Sequence, residues 1–195
     1  MKYLKWAVFS VVSVFFLFQE TAVHAATVKN FLDLCRNGTL TEVRTAIRKG
    51  TDLEMRRFNG FTPLMESIFN KNPEVLLELI KSGANVDARD NAGATTLINL
   101  AYFGKDPFDA SIQMKALVDA GADVNIQTLE GQTVLMVLVM PSLRYPDPVD
   151  IIDFLLDAGA DLSLEDGKGR TAWDYAFENR KFENSNILIK LKPSN

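Results

Sequence analysis

Gly121-Ala-Asp-Val-Asn125 decides how this chain is read, because the chain repeats it. It recurs as Gly83-Ala-Asn-Val-Asp87, as Gly159-Ala-Asp-Leu-Ser163 and, more weakly, as Gly50-Thr-Asp-Leu-Glu54. Three of the copies follow the apolar spacing of an amphipathic helix: Leu76, Leu79 and Ile80; Met114, Leu117 and Val118; Ile152, Leu155 and Leu156. Ten residues after each first glycine comes a second, at Gly60, Gly93, Gly131 and Gly169. A threonine follows two positions later, at Thr62, Thr95, Thr133 and Thr171.

The spacing has a physical cause. A glycine after a helix supplies the left-handed residue that ends it without a Cβ clash. The alanine that follows is small enough for the next unit to approach, and Asp or Asn suits the turn into a projecting hairpin. The threonine hydroxyl can cap the next helix, and Pro63 suits a first helical position, where no amide hydrogen is needed. In-phase copies of this kind resemble the ankyrin repeat, a β-turn and two helices in about 33 residues. The resemblance covers roughly residues 27–192. It implies an all-α repeat solenoid of about five ankyrin repeats, helix-turn-helix plus β-turn or hairpin, with degenerate first and last repeats as caps. Approximate repeat bounds are 27–56, 57–89, 90–127, 128–165 and 166–192, within a domain of residues 26–195.

The first repeat lacks the threonine opening, yet Phe31, Leu34, Leu40, Val43 and Ile47 hold helical spacing. The second keeps the 33-residue period between Gly60 and Gly93. Gly83 to Gly121 and Gly121 to Gly159 are each 38 residues, so repeats three and four each carry five extra. These fall at 104–112 and 141–149, and are expected as lengthened loops on one edge, tipped by Phe108 and Tyr145. The family motif reads Thr-Pro-Leu-His; its histidine positions here are Met65, Ile98, Met136 and Asp174, so packing is expected to replace polar ties at three of them. Trp173 takes the leucine position and is expected in the core.

Residues 1–25 read as a secretory signal peptide. Lys2 and Lys5 precede an apolar run from Trp6 to Phe18, and Val23-His24-Ala25 supplies the small residues for cleavage after Ala25. Thirteen residues are short of the ~20 a spanning helix requires, so no stable membrane anchor is expected after cleavage. An uncleaved leader holding a structural envelope component is the other reading. Cleavage would remove His24, the only histidine, and leave Cys35 as the only cysteine. Histidine-dependent triads, zinc sites and haem sites are thereby excluded from the mature chain. Cys35 is expected as a buried structural thiol. Export without a cysteine pair favours a periplasmic location, with secretion as the other setting.

Residues 26–60 carry a net +3, residues 61–167 a net −11 and residues 168–195 a net +3. An acidic middle repels nucleic-acid backbones and suits a partner with a basic patch. No carboxylate pair, calcium loop or phosphate-cradling glycine loop stands out, so no catalytic, cofactor or metal site is expected. The family resemblance places partner binding on the hairpin tips and inner helices of the concave face. Carried onto this chain, the tips are Arg56, Phe58, Asn59 and Phe61; Arg89, Asn91 and Ala92; then Gln127, Leu129 and Glu130. The inner-helix positions are Phe69, Asn70, Tyr102, Phe103 and Met140. The expected function is a monomeric, exported protein–protein interaction module without catalytic activity, whose partner carries an apolar or basic patch. Protection against stress or a toxin and delivery into a host cell as an effector both stay open, and a carboxylate-based hydrolase is the contrasting class.

Overall fold

The computed structural model describes residues 31–104, 107–142 and 148–192. The leader (1–25) and Tyr145 lie outside the described residues, as does the side chain of Phe108. The described residues are helical and contain no strand. The elements are α1 (31–37), α2 (Leu40–Arg48), α3 (Pro63–Ser67), α4 (Glu74–Lys81), α5 (Thr96–Phe103), α6 (Pro107–Asp119), α7 (Val134–Val139), α8 (Val149–Asp157), α9 (Ala172–Glu178) and α10 (Ile187–Lys190). A 3-10 turn, Arg180–Phe182, joins the last two.

Each threonine opening becomes a helix cap. Thr62, Thr95, Thr133 and Thr171 accept hydrogen bonds from the third amide of α3, α5, α7 and α9. Pro63 occupies the first helical turn. At the other end of each unit, α4, α6 and α8 stop on Gly83, Gly121 and Gly159. The next alanine amide reaches back to Leu79, Leu117 and Leu155 in turn, at 3.1, 3.0 and 2.9 Å. This six-to-one closure satisfies carbonyls that the helix leaves without partners.

Helices α3, α5, α7 and α9 contact one another in succession, and α2, α4, α6 and α8 do the same in a second row. The apolar stripes meet between the rows. Leu76, Leu79, Met114, Leu117, Ile152 and Leu155 are fully buried, with Ile80, Val118 and Leu156 packed against them. Met65, Ile98 and Met136 are buried as well, so packing does replace the motif histidine there. Asp174 closes a capping box with Thr171 instead. Trp173 is only half-buried, stacked on Phe177 at 5.0 Å, and so lies at the edge of the core.

The Asp and Asn residues that follow each glycine hold neighbouring turns together. Asp52, Asn85, Asp123 and Asp161 each accept from the amide two residues on. The amide of Asn85 donates to Glu54 at 2.8 Å, that of Asp123 to Asp87 at 3.0 Å and that of Asp161 to Asn125 at 2.8 Å. One polar side chain therefore shapes its own turn and the next one down satisfies its amide. The turn-shaping bond accounts for Asp or Asn at this position, and the link between turns for the polar residue two positions on.

One expected loop is partly helix. Pro107 opens α6, which runs to Asp119 and buries Ala110 and Met114, so residues 107–112 of the 104–112 insertion extend the helix. Proline at a first helical turn is pre-set for that geometry. In 141–149, residues 143–147 lie outside the described residues, and Val149 opens α8.

Candidate functional site

The hairpins project from the first row of helices and are tied from tip to tip. Asn91 donates its amide to Asn59 O at 3.1 Å, Leu129 to Ala92 O at 2.9 Å and Gly167 to Glu130 O at 2.8 Å. Side chains reinforce these links. Arg56 donates to Arg89 O, Arg89 to Gln127 O and Gln127 to Glu165 O, and each also reaches a carbonyl four residues on in its own hairpin. Arg56, Arg89 and Gln127 thus form a ladder between successive hairpins, with Arg56 and Arg89 still exposed at its outer edge. Long donors recur because an extended side chain spans to the next hairpin, where a short one would not.

Beneath the tips, three of the four hairpins are pinned to their own inner helix by a pair nine residues apart. Arg57 bonds Glu66, Asn99 donates to Asp90 at 3.0 Å and the Tyr175 hydroxyl donates to Asp166 at 2.6 Å. In the remaining unit the same positions hold Thr128 and the buried Val137. Glu66 is 1% exposed and is clasped by Arg36 and Arg57. A buried carboxylate needs such partners to stay charged. The Asp33 and Glu66 carboxylates push the Arg57 pKa up, against the effect of desolvation.

Burial alone would push the Asp166 carboxyl up. The Tyr175 hydroxyl, the amides of Arg170 and Lys168 and the Arg170 guanidinium outweigh it, holding the group at about 2 instead of 3.8. The stabilisation from this lowered value is full above about 4 and is lost as pH falls through about 2. Carbon-13 titration of Asp166 should therefore give a midpoint near 2, and Tyr175→Phe should move it upward. A midpoint at the ordinary carboxylate value in the parent protein would contradict the network.

The concave face between tips and helices holds a cleft of about 640 Å³. Phe61, Tyr102, Phe103, Leu129 and Glu130 line it, together with Asn59 and Asn91. All seven are among the expected contact residues, and the two asparagines also bond locally. Asn59 accepts from the Phe61 amide at 3.2 Å and Asn91 donates to Phe58 O at 2.8 Å. Phe58 is 94% exposed and Leu129 77%, both at hairpin tips. Phe103 is 47% exposed. Tyr102 is half-buried, its hydroxyl donating to Gln132 at 2.5 Å. Burial raises its pKa, and the negative charge of Glu130 adds to the rise.

Two expected contacts turn inward. Met140 is 7% exposed and belongs to the core, correcting its expected exposure: it follows the wholly buried α7, a helix apolar on every side. Asn70 donates to Cys35 O and Gly38 O, both at 3.0 Å, and so ties α1 to the turn after α3. Phe69 is intermediate, packed against the core and stacked on Phe61 at 6.3 Å. Cys35 is buried, and desolvation with the nearby Glu66 charge pushes its thiol up to about 12. A thiol held that high is not a nucleophile at neutral pH.

Gln132 was missed by sequence reasoning. Its signal is position: it stands where Phe61 and Ala94 stand in the preceding hairpins. The described residues contain no group of His, Cys, Asp or Glu arranged to hold a metal ion. None of the described helices is long and apolar enough to cross a membrane.

The ankyrin-repeat family model matches residues 59–91. The match runs from one hairpin tip through α3 and α4 to the next tip, and lies on the copy that keeps the 33-residue spacing. It supports an ankyrin-repeat protein. No curated protein matches the chain. Ankyrin repeats generally mediate protein–protein interaction, and the family is typically non-enzymatic; stacked repeats offer an extended concave surface for the purpose.

Proposed function

We propose that the chain is a non-catalytic interaction protein that binds a partner protein on its concave face. The reading extends the single matched repeat to about five, stacked as a solenoid from residue 27 to residue 192 with capping repeats at both ends. The observation that carries it is the cleft lined by Phe61, Phe103 and Leu129, with Phe103 and Leu129 exposed there and Phe58 exposed on the hairpin that supplies Phe61. An apolar strip rimmed by polar groups marks a partner surface in soluble proteins. Residues 1–25 are proposed as a cleaved signal peptide, giving a periplasmic or secreted monomer with a protective role at the envelope.

Phe58 is the cleanest probe, because 94% exposure in the free protein leaves it little part in the core. Once a partner has been isolated, Phe58→Ala and Leu129→Ala should each weaken its binding about tenfold or more while thermal unfolding stays unchanged. Glu74→Ala, on the exposed side of α4, should change neither. Tyr102 is less suitable than the tips: its bond to Gln132 joins α5 to the next hairpin, so Tyr102→Ala would disturb folding as well. Tip substitutions that leave binding intact would sink the concave-face assignment. An N-terminus mapped to Met1 in the exported protein would sink the cleavage.

A further inference from the structure

The aromatic strip beside the cleft already seats one cation. The guanidinium carbon of Arg36 stands 4.0 Å from the centre of the Phe69 ring, and Nη1 of the same group donates to Glu66 at 2.8 Å. The motif is a guanidinium over a ring face, held by a carboxylate. From Phe69 the rings continue: Phe103 lies 5.9 Å away, Tyr102 another 5.9 Å beyond it, and Phe61 6.3 Å to the other side.

The Phe61, Tyr102 and Phe103 rings open into the cleft, and among the described residues no lysine or arginine of the chain lies over them. Two carboxylates line the same cleft. Asp90 is engaged, accepting from the amides of Ala92 and Ala94 and from Asn99. Glu130 is exposed and lines the cleft together with Tyr102. The surrounding residues 61–167 carry a net −11, within a chain of net −4. A cation placed here would meet ring faces, an available carboxylate and a favourable long-range field.

Resting on the concave-face reading, we propose that the cleft receives an arginine side chain from an apolar segment of the partner protein. The guanidinium lies against Phe103 and Tyr102 and pairs with Glu130, while the flanking apolar residues cover Phe61 and Leu129. Arginine suits the site better than lysine because its planar, weakly hydrated head stacks on rings, as Arg36 does.

Two synthetic peptides test this: acetyl-Ala-Leu-Arg-Leu-Ala-amide and the same peptide with citrulline, a neutral near-isostere, in place of arginine. Each is titrated into the nitrogen-15-labelled protein. The arginine peptide should shift the amides of Tyr102, Phe103, Leu129 and Glu130 and bind about tenfold more tightly than the citrulline peptide. Glu130→Gln should remove most of that preference, Phe103→Leu should weaken the arginine peptide about fivefold, and Glu74→Gln should do neither. Glu130 is exposed, so a folding defect does not cloud its variant; a dispersed spectrum checks Phe103→Leu. Equal binding of both peptides at the cleft overturns the arginine assignment and leaves the concave face standing as a binding surface. No saturable shift at the cleft, or shifts confined to another face, overturns the assignment too. The partner-binding test with Phe58→Ala and Leu129→Ala remains separate from either result.

Discussion

Leu117→Ala should destabilise the protein by about 2–5 kcal/mol, the range for deleting three buried carbons without full collapse of the cavity. Leu117 is fully buried in the last turns of α6, which contacts α4, α5 and α8. Its carbonyl also receives the Ala122 amide at 3.0 Å, in the closure that ends the helix. Because α6 packs against helices of the units on both sides, a void here loosens the row instead of one helix. Against a typical total of about 5–15 kcal/mol, the loss is severe. A denaturant titration reads it as a drop in midpoint at unchanged slope. A loss below about 0.5 kcal/mol would mean that Leu117 does not support the core.

Two glycines of the same conformation should respond differently to alanine. Gly121 has φ +93 and Gly131 has φ +82, both left-handed. A Cβ on Gly121 would meet nothing within 4 Å, so Gly121→Ala costs only the backbone strain, about 1 kcal/mol. A Cβ on Gly131 would stand 2.8 Å from Gly167 N and 2.9 Å from Asp166 Cα, both backbone atoms of the next hairpin. Relief requires moving that hairpin, whose Gly167 amide donates to Glu130 O at 2.8 Å. Gly131→Ala should therefore cost about 2–4 kcal/mol, strain and overpacking together. Equal losses for the two variants would show that the hairpins are not in close backbone contact.

Much of this architecture was legible because its rules are local. A threonine that caps, a glycine that must turn left and an apolar stripe of helical period each act within a few residues of themselves. Thr133, Gly121 and Leu117 could be placed for that reason. Bonds to neighbours one unit away were not legible. Arg56, Arg89 and Gln127 stand at the same place in successive hairpins, and their recurrence as long donors was visible; its meaning was not, because the acceptor lies 33 or 38 residues on. The pairing of Asp90 with Asn99 and of Asp166 with Tyr175 is hidden by a nine-residue spacing that matches no single helix or turn.

The extra residues before α6 were taken for loop because they exceed the family spacing. Pro107, with Asp109 in the first turn, is a helix opening, and an added turn of α6 absorbs part of the length. Met140 illustrates the opposite error. Position in the motif pointed outward, but Val134–Val139 is apolar on every face and buried along its length, and Met140 at its end stays in the same core. The exposure of Phe58, Phe103 and Leu129 was legible from their motif positions, while the engagement of Tyr102 with Gln132 depended on the next hairpin.

The central claim is that the concave strip is where a partner protein docks. The direct measurement is site-specific photocrosslinking in cells that make the protein, with benzoylphenylalanine placed in turn at Phe58, Leu129 and, on the exposed side of α4, Glu74. The account predicts one common crosslinked species from positions 58 and 129 and none from position 74. Crosslinks to that species from position 74, with none from 58 or 129, would contradict it.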